Sequence, residues 1–368
     1  MAVLLLPLSL VFLVLVALQA NLQGVIWCDP AGGIRTNKSF FSAVFVFGDS
    51  TVDPGNNNFL PTPLKSNFPP YGKDYPEQIP TGRFTDGKLV TDFLASYLGL
   101  KVEIPPYLNP TLSEEELLTG VSFASAGSGY DPLTAKISDV ISIPKQLEYF
   151  KDYTTKRQLI NGENHTQVLI QRSLFIISCG TNDFVDNYFS LPFRRTTYSI
   201  QSYQLFLHNK LTDFLQELSG FGARTIVVVG VPPFGCLPLV RTLNPTNGFR
   251  QSGCVEPFNS VAKEYNDKLQ QLVASMQTKF EGRIVHADIY RSFADIIYTP
   301  HQFGFMESRR GCCGTGYLEF SFLCNSKCAV CEDPTKYVFW DAIHPTEKAY
   351  YFLFQGLQGA INDLLNHT

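Results

Sequence analysis

The chain has 368 residues, of which 45% are hydrophobic and 17% charged, with a formal net charge of −4. It is too apolar for a disordered chain and has no glycine period for a collagen. The sparse charge leaves no basic patch of the kind that nucleic-acid binding needs. The length admits two or three domains, although a single α/β domain of this size is also ordinary, and either can bury a large core.

The first predicted element is a leader. No charged residue lies between Met1 and Asp29, and Val3–Leu18 is an almost unbroken apolar run. At about 16 residues it is short of the roughly 20 that a spanning helix needs. Small residues follow at Ala17 and Ala20. This pattern predicts a secretory signal peptide over residues 1–27, followed by one mature domain over 28–368. An uncleaved signal anchor is the alternative. No later segment is long and apolar enough to span a bilayer.

Short apolar runs then predict strands at Ala43–Phe47, Val121–Ala124, Leu174–Ser178, Thr225–Val229 and Arg283–Ala287. The clearest of them are continuous rather than alternating, as in parallel strands covered on both faces. Three-and-four spacing predicts helices over Leu89–Leu98, Glu256–Phe280 and Glu347–Leu365. Strand–helix alternation implies a parallel sheet with helices on both sides, a three-layer αβα sandwich of about five strands. Pro54–Gly87 is too polar and too broken for an element and reads as a long functional loop. No internal repeat and no linker divides the chain.

Export sets the reading of the cysteines. Five of the nine fall between 312 and 331. Behind a signal peptide, Cys312, Cys313, Cys324, Cys328 and Cys331 predict a disulfide-stapled loop. Cys236 and Cys254 are a further candidate pair. In a cytosolic chain the same cluster, with its C-x2-C at 328–331, would suggest structural zinc. Nine is odd, so at least one thiol is free, paired between chains or lost with the leader, with Cys28 and Cys179 as candidates. Asn37, Asn164 and Asn366 open glycosylation triplets, whereas Asn244 is excluded by the proline after it.

Parallel sheets bind ligands at the carboxyl ends of their strands. The segments directly after the predicted strands are Gly48-Asp49-Ser50-Thr51, then Ser125-Ala-Gly127-Ser-Gly129, then Gly180-Thr-Asn182-Asp183. A serine hydroxyl thus converges with two candidate oxyanion donors, the Gly127 N–H and the Asn182 amide. The serine needs a base. Of six histidines, His344 is singled out by Asp341-Ala-Ile-His344-Pro345, where a carboxylate three residues earlier can orient the imidazole. His165 and His367 lie inside glycosylation triplets; His208 falls in a helical stretch, His286 at a strand and His301 in an aromatic loop.

Competing motifs are weaker. Gly82–Lys88 has P-loop spacing, but Leu89 stands where Mg²⁺ needs a hydroxyl, and no strand precedes it. Ser122 reads as a strand serine. Asp49 is either a second acid or a carboxylate serving nearby backbone N–H groups. Asn56 and Asn57 either touch substrate or make local turn bonds.

Phe45-Val-Phe-Gly-Asp-Ser50, Asp53-Pro-Gly-Asn-Asn-Asn58 and Thr81-Gly-Arg-Phe84 resemble the plant GDSL esterase/lipase family of the SGNH hydrolase superfamily. So do Gly120–Gly129, Gly180–Asp183, Cys312–Gly316 and Tyr337–Thr346. The likeness spans residues 43–365 and is nearest the extracellular-lipase-like branch. It implies a flavodoxin-like αβα fold and a serine esterase acting on carboxylic esters in lipid metabolism. By motif, Ser50 is implied as nucleophile, His344 as base, Asp341 as its orienter, and the Ser50 N–H, Gly127 and Asn182 as oxyanion hole. Two positions depart from the pattern. Thr51 replaces the family's leucine, and Ala126 stands where many relatives have glycine, which leaves Gly129 as a second candidate donor.

The expected protein is therefore a secreted, monomeric, glycosylated esterase with a small-molecule or lipid ester as its partner and no metal or organic cofactor. An acyltransferase on the same residues and a catalytically silent binding protein are the alternatives. Cell wall or apoplast is the expected location, with the vacuole also compatible with a leader.

Overall fold

A computed structural model of the chain describes residues 40–244 and 253–366. The predicted leader, Cys28 and Asn37 lie outside the described residues, as does the Asn366 side chain. Ser39–Thr368 cluster as one unit.

Four strands form the main sheet: β1 (Val44–Gly48), β2 (Leu174–Ser178), β3 (Thr225–Val229) and β4 (Arg283–Ala287), in the order β1-β2-β3-β4. All pairs are parallel and in uninterrupted register, with Val46 opposite Ile176, Ile176 opposite Val227 and Val227 opposite Val285. The fifth predicted strand, Val121–Ala124, does lie beside β1. Its pairing is reduced to a bridge, with Phe123 N–H donating to Val46 O and Val46 N–H to Val121 O. Ser125 N–H still donates to Gly48 O, but Gly48 N–H is taken by Gln146 rather than by Phe123 O, which ends the ladder there; on the far edge the Ser122 and Ala124 carbonyls accept from Asn56.

Parallel strands need crossovers, and helices supply them. After β1 come α1 (Val90–Tyr97), α2 (Glu114–Thr119), α3 (Pro132–Ser138), α4 (Ile143–Asn161) and α5 (Glu163–Gln171). β2 leads through α6 (Ile200–Gly220) to β3, and β3 through α7 (Pro238–Leu243) and α8 (Glu256–Gln277) to β4. α9 (Tyr290–Tyr298) precedes a second sheet of β5 (Glu307–Gly311) and β6 (Tyr337–Phe339), and α10 (Glu347–Asn366) ends the described chain. The predicted helices at 89–98, 256–280 and 347–365 correspond to α1, α8 and α10. The small parallel β5–β6 sheet was not legible in the sequence, because Glu307-Ser-Arg-Arg-Gly311 has none of the apolar character of a covered strand.

Period-two alternation divides the core. Phe45, Phe47, Phe175, Ile177, Ile226 and Val228 face one layer, built from α4, α6 and α8 through Phe150, Leu211 and Leu269. Val44, Val46, Leu174, Ile176 and Val229 face the other, built from α1 and α10 through Leu94, Ala95, Phe354 and Leu364. The result is the αβα sandwich expected from the strand–helix alternation.

The long Pro54–Gly87 loop contains only two short 3₁₀ turns. It is anchored by buried polar groups. Arg83 makes a two-pronged ion pair with Asp92 of α1 at 2.8 and 2.9 Å and also donates to Ile104 O. Asn56 and Asn57 are fully buried. Asn57 donates to Leu64 O and Ala126 O, and Leu108 N–H donates to Asn56 Oδ1. Apart from the Asn57–Leu64 bond within the loop, their side-chain bonds are long-range ties to Leu108 and to residues 122–126, and neither side chain is surface available to a ligand.

Among the described residues, three disulfides join Cys236–Cys254, Cys312–Cys331 and Cys313–Cys324. Cys179 is free and buried, and Cys328 is free and half-buried. This corrects the expectation for Cys328, which its spacing grouped with the bridged cysteines. Its thiol instead points at Leu323 O, while Cys331, three residues on, is taken by Cys312. Zinc is ruled out at this cluster by the bridges themselves, because disulfide sulfur is not the thiolate that the metal needs.

Candidate active site

The site starts with a turn at the carboxyl end of β1. Gly48 has φ +146°, and a Cβ there would lie 1.9 Å from Ser178 O, so only glycine lets the chain leave the sheet so close to β2. Asp49 N–H donates to Ser178 O, and Val52 N–H closes back on Asp49 O. Ser50 and Thr51 sit at the tip. Gln146 of α4 clamps the turn from behind: it accepts from Gly48 N–H and donates to Gly48 O.

Asp341 and His344 come from the turn between β6 and α10. The Asp341 carboxylate accepts from the Ile343 and His344 N–H groups at 2.8 and 2.7 Å, so it caps its own turn. The same carboxylate lies 2.8–2.9 Å from His344 Nδ1. With Nδ1 so engaged, Nε2 is the free ring nitrogen, and it meets Ser50 Oγ at 2.8 Å. Asp341 is fully buried, and Ser50 retains 8% exposure, so the reacting end of this chain faces the solvent side. Thr346 caps α10 through Ala349 N–H and Tyr350 N–H, with Pro345 just ahead of it.

Two residues that the sequence patterns did not single out complete the surroundings. Tyr71, from the long loop, donates to Asp341 Oδ2 at 2.7 Å and accepts from Ser321 N–H. Burial, and then the Asp341 charge, push the phenol well above its usual titration range, so it stays a donor. Phe84 lays its ring 4.9 Å from the His344 imidazole. Only its place in the Thr81–Phe84 motif hinted at it; Tyr71 carried no signal. The disulfide-knit loop backs the same turn: Cys312 N–H bonds Phe339 O, Cys313 N–H bonds Trp340 O, and Ala342 N–H bonds Glu319 O.

The oxyanion candidates lie on two loops tied together by Asp183. Its buried carboxylate accepts from Tyr130 N–H, Asp131 N–H and Thr134 Oγ1 at 2.8, 3.1 and 2.6 Å. Burial pushes it up to about 8. Asn182, beside it, shares the cavity wall with Ser50 and His344. One Nδ2 hydrogen serves Ser128 O at 2.9 Å, and a second is left over on that nitrogen. The Ala126 N–H is taken by Asp53 Oδ2. Gly127 follows with φ +87°, and among the described residues neither its N–H nor that of Ser50 has a hydrogen-bond acceptor. Gly127 is not itself part of the cavity wall. A Cβ on Gly129 would strike the Asp183 carboxylate at 2.1 Å, so that glycine is explained by packing.

The remaining candidates fall into place around this centre. Asp49 accepts from Thr51 N–H and Thr51 Oγ1 at 3.0 and 2.8 Å, and Thr51 Oγ1 also meets Ser178 Oγ at 3.1 Å. The threonine hydroxyl thus links the serine turn to β2. Desolvation raises Asp49 to about 6, against the opposing pull of those bonds and of His344. Ser122 is buried and donates to Val52 O. His208 stacks on Tyr265 at 4.4 Å inside the sandwich, and burial lowers it to about 4. Asn164 is exposed in the first turn of α5.

The family profile GDSL-like Lipase/Acylhydrolase matches residues 44–357. One GDSL esterase/lipase from Arabidopsis thaliana is 49% identical over 340 residues, covering 92% of this chain and 91% of its own. A second from the same plant is 41% identical, covering 90% of this chain and 92% of its own. Among the described residues, no helix is long and apolar enough to cross a membrane.

Proposed function

The chain belongs to the GDSL lipase/acylhydrolase family and is a carboxylic ester hydrolase, and from that premise we propose that it works as a secreted serine esterase through an acyl-enzyme on Ser50. The observation that carries this reading is the 2.8 Å contact between Ser50 Oγ and His344 Nε2, with Asp341 behind the imidazole.

That contact supports the following steps. His344 Nε2 takes the Ser50 proton as Oγ attacks the ester carbonyl carbon. Asp341 stabilises the imidazolium and holds the ring. The oxyanion forms against the Ser50 and Gly127 N–H groups and the spare Asn182 hydrogen. The tetrahedral centre collapses, the ester oxygen leaves with the proton from His344, and the acyl group remains on Ser50. Water, deprotonated by the same histidine, then releases the acid and frees the serine. The chemistry needs no metal, since the side chains supply nucleophile, base and oxyanion donors.

Secretion is part of the same reading. The three disulfides suit an oxidising compartment, and the 1–27 leader would deliver residues 28–368 to it as one domain, with a glycan at the exposed Asn164.

The test uses the chain expressed through a secretory pathway. Release of p-nitrophenol from p-nitrophenyl acetate is followed beside Ser50→Ala, with mass analysis of fluorophosphonate-treated protein. Turnover lost in the variant, and one phosphonyl group per chain on Ser50, is the expected result. Undiminished turnover in Ser50→Ala overturns the assignment.

A further inference from the structure

The cavity that holds Ser50 and His344 does not end at the reacting atoms. It continues along the sheet face that carries Leu174, Ile176 and Ser178 of β2. Register places Val227 and Val229 of β3 beside Ile176 and Ser178, and Val285 and Ala287 of β4 beside those. All of them line the same space. The opposite wall is a single stripe of α10, running Tyr350, Leu353, Leu357, Ile361 and Leu364. That helix starts next to His344 and runs back towards the amino ends of the strands. Apart from Ser178 and Tyr350, at the end next to the reacting atoms, the residues named along these stretches are Leu, Ile, Val and Ala.

Two further facts set this space apart from ordinary core. A parallel strand with neighbours on both sides is normally covered on both faces, yet Val227 in β3 stays half-buried, as does Val285 beside it. Leu357 and Ile361 on the facing helix are half-buried too. Secondly, unfilled apolar space costs stability in proportion to its volume, so a fold that keeps it open usually keeps it for a ligand.

We propose that this channel between the β2–β4 face and α10 receives the acyl chain of the substrate, so that the ester is one of a medium-chain fatty acid. The proposal rests on the serine-esterase reading, because the carbonyl at Ser50 is what fixes one end of the occupant. Its length is set by the strands. From Ser178 down to Leu174 is about 13 Å at roughly 3.3 Å per strand residue. An extended alkyl chain advances about 1.25 Å per carbon for C–C bonds of about 1.5 Å. The channel therefore takes about ten carbons.

The experiment measures kcat/KM for p-nitrophenyl acetate, butyrate, octanoate, decanoate and palmitate with the full chain. Two variants narrow the channel from opposite walls, Val285→Phe and Ile361→Trp. In parallel, binding of free decanoate to Ser50→Ala is measured by calorimetry, with and without each channel substitution. The expected result is a kcat/KM that rises about fourfold per buried CH2 up to about the decanoate and then levels. The decanoate-to-acetate ratio should fall at least tenfold in both variants, and decanoate binding should be lost with it. Using two variants on different elements keeps the ratio readable if one is poorly folded. Ser50-dependent acetate turnover with a flat chain-length profile and no decanoate binding overturns the channel and leaves the esterase reading intact. Decanoate binding that the channel substitutions abolish, in a chain that cleaves no ester, upholds the channel and overturns the esterase.

Discussion

The Tyr71 phenol donates a 2.7 Å hydrogen bond to Asp341 Oδ2, so the carboxylate that orients His344 is itself held by a loop 270 residues away in sequence. Both groups are buried, Tyr71 at 1% and Asp341 at 0% exposure. Tyr71→Phe leaves the ring in place and removes one donor to a buried carboxylate. Such a bond contributes about 1.5–3 kcal/mol. The expected outcome is a loss of that size in a urea titration, with a reduced kcat and little change in KM for a short ester. A larger KM with unchanged kcat would place Tyr71 with substrate binding instead.

Asn182→Ala tests the oxyanion assignment. Loss of one oxyanion donor typically costs about 10²–10³ in kcat. The same side chain also ties Ser128 O, so a stability loss of about 1 kcal/mol accompanies it. Full activity in a folded Asn182→Ala protein would remove the residue from the mechanism.

Asp49 makes stability depend on pH. Burial raises it from the ordinary 3.8 to about 6, so the folded state holds this proton more tightly than the unfolded state does. Below pH 3.8 both states are protonated and there is no effect. As pH rises from 3.8 to about 6 the unfolded state releases its proton first, and stability is lost; above about 6 the loss is complete. Each tenfold difference in proton affinity is about 1.4 kcal/mol. Asp49→Asn keeps an oxygen to accept from Thr51 N–H and Oγ1 while removing the charge. Its melting temperature should match wild type near pH 4 and exceed it at pH 7. An equal difference at both values would show that the charge is not the cause.

The cysteine-rich loop gives a paired prediction. Cys313→Ser opens a bridge of sequence separation 11 that backs the Asp341 turn. Removing such a disulfide costs about 2–5 kcal/mol, and here it should lower kcat as well, through Trp340 and Asp341. Cys328→Ser removes a thiol that bridges nothing, and its effect should stay within about 0.5 kcal/mol. Thermal melts and ester turnover of both variants check the contrast. Equal losses would mean that Cys328 is bonded.

The chemistry-bearing residues were legible because their signals are local. Continuous apolar runs mark covered strands, three-and-four spacing marks α8 and α10, and the polar residues directly after β1 and β2 are where a parallel sheet presents its ligands. Asp341 and His344 share one turn, so three residues of sequence carry their whole geometry. The prediction that grouped Cys328 with the bridged cysteines failed for the opposite reason. Composition says that a loop is stapled, but which sulfurs meet depends on Cα separations that only the folded loop sets.

The order of strands and helices and the pairing of Asp341 with His344 were thus determined by the sequence alone, the latter because it depends on contacts within one turn, whereas the turn that Gly48-Asp49-Ser50 marks is held by Ser178 and Gln146 from far along the chain. The tertiary structure decided the rest: Tyr71 on Asp341, Phe84 on His344, the Asn56 and Asn57 ties, and the open channel under α10. Those depend on which distant segments the sheet brings together, and on how closely one layer covers another. No local periodicity encodes either, because the same aliphatic stripe on α10 would be written for a closed core and for the wall of a channel.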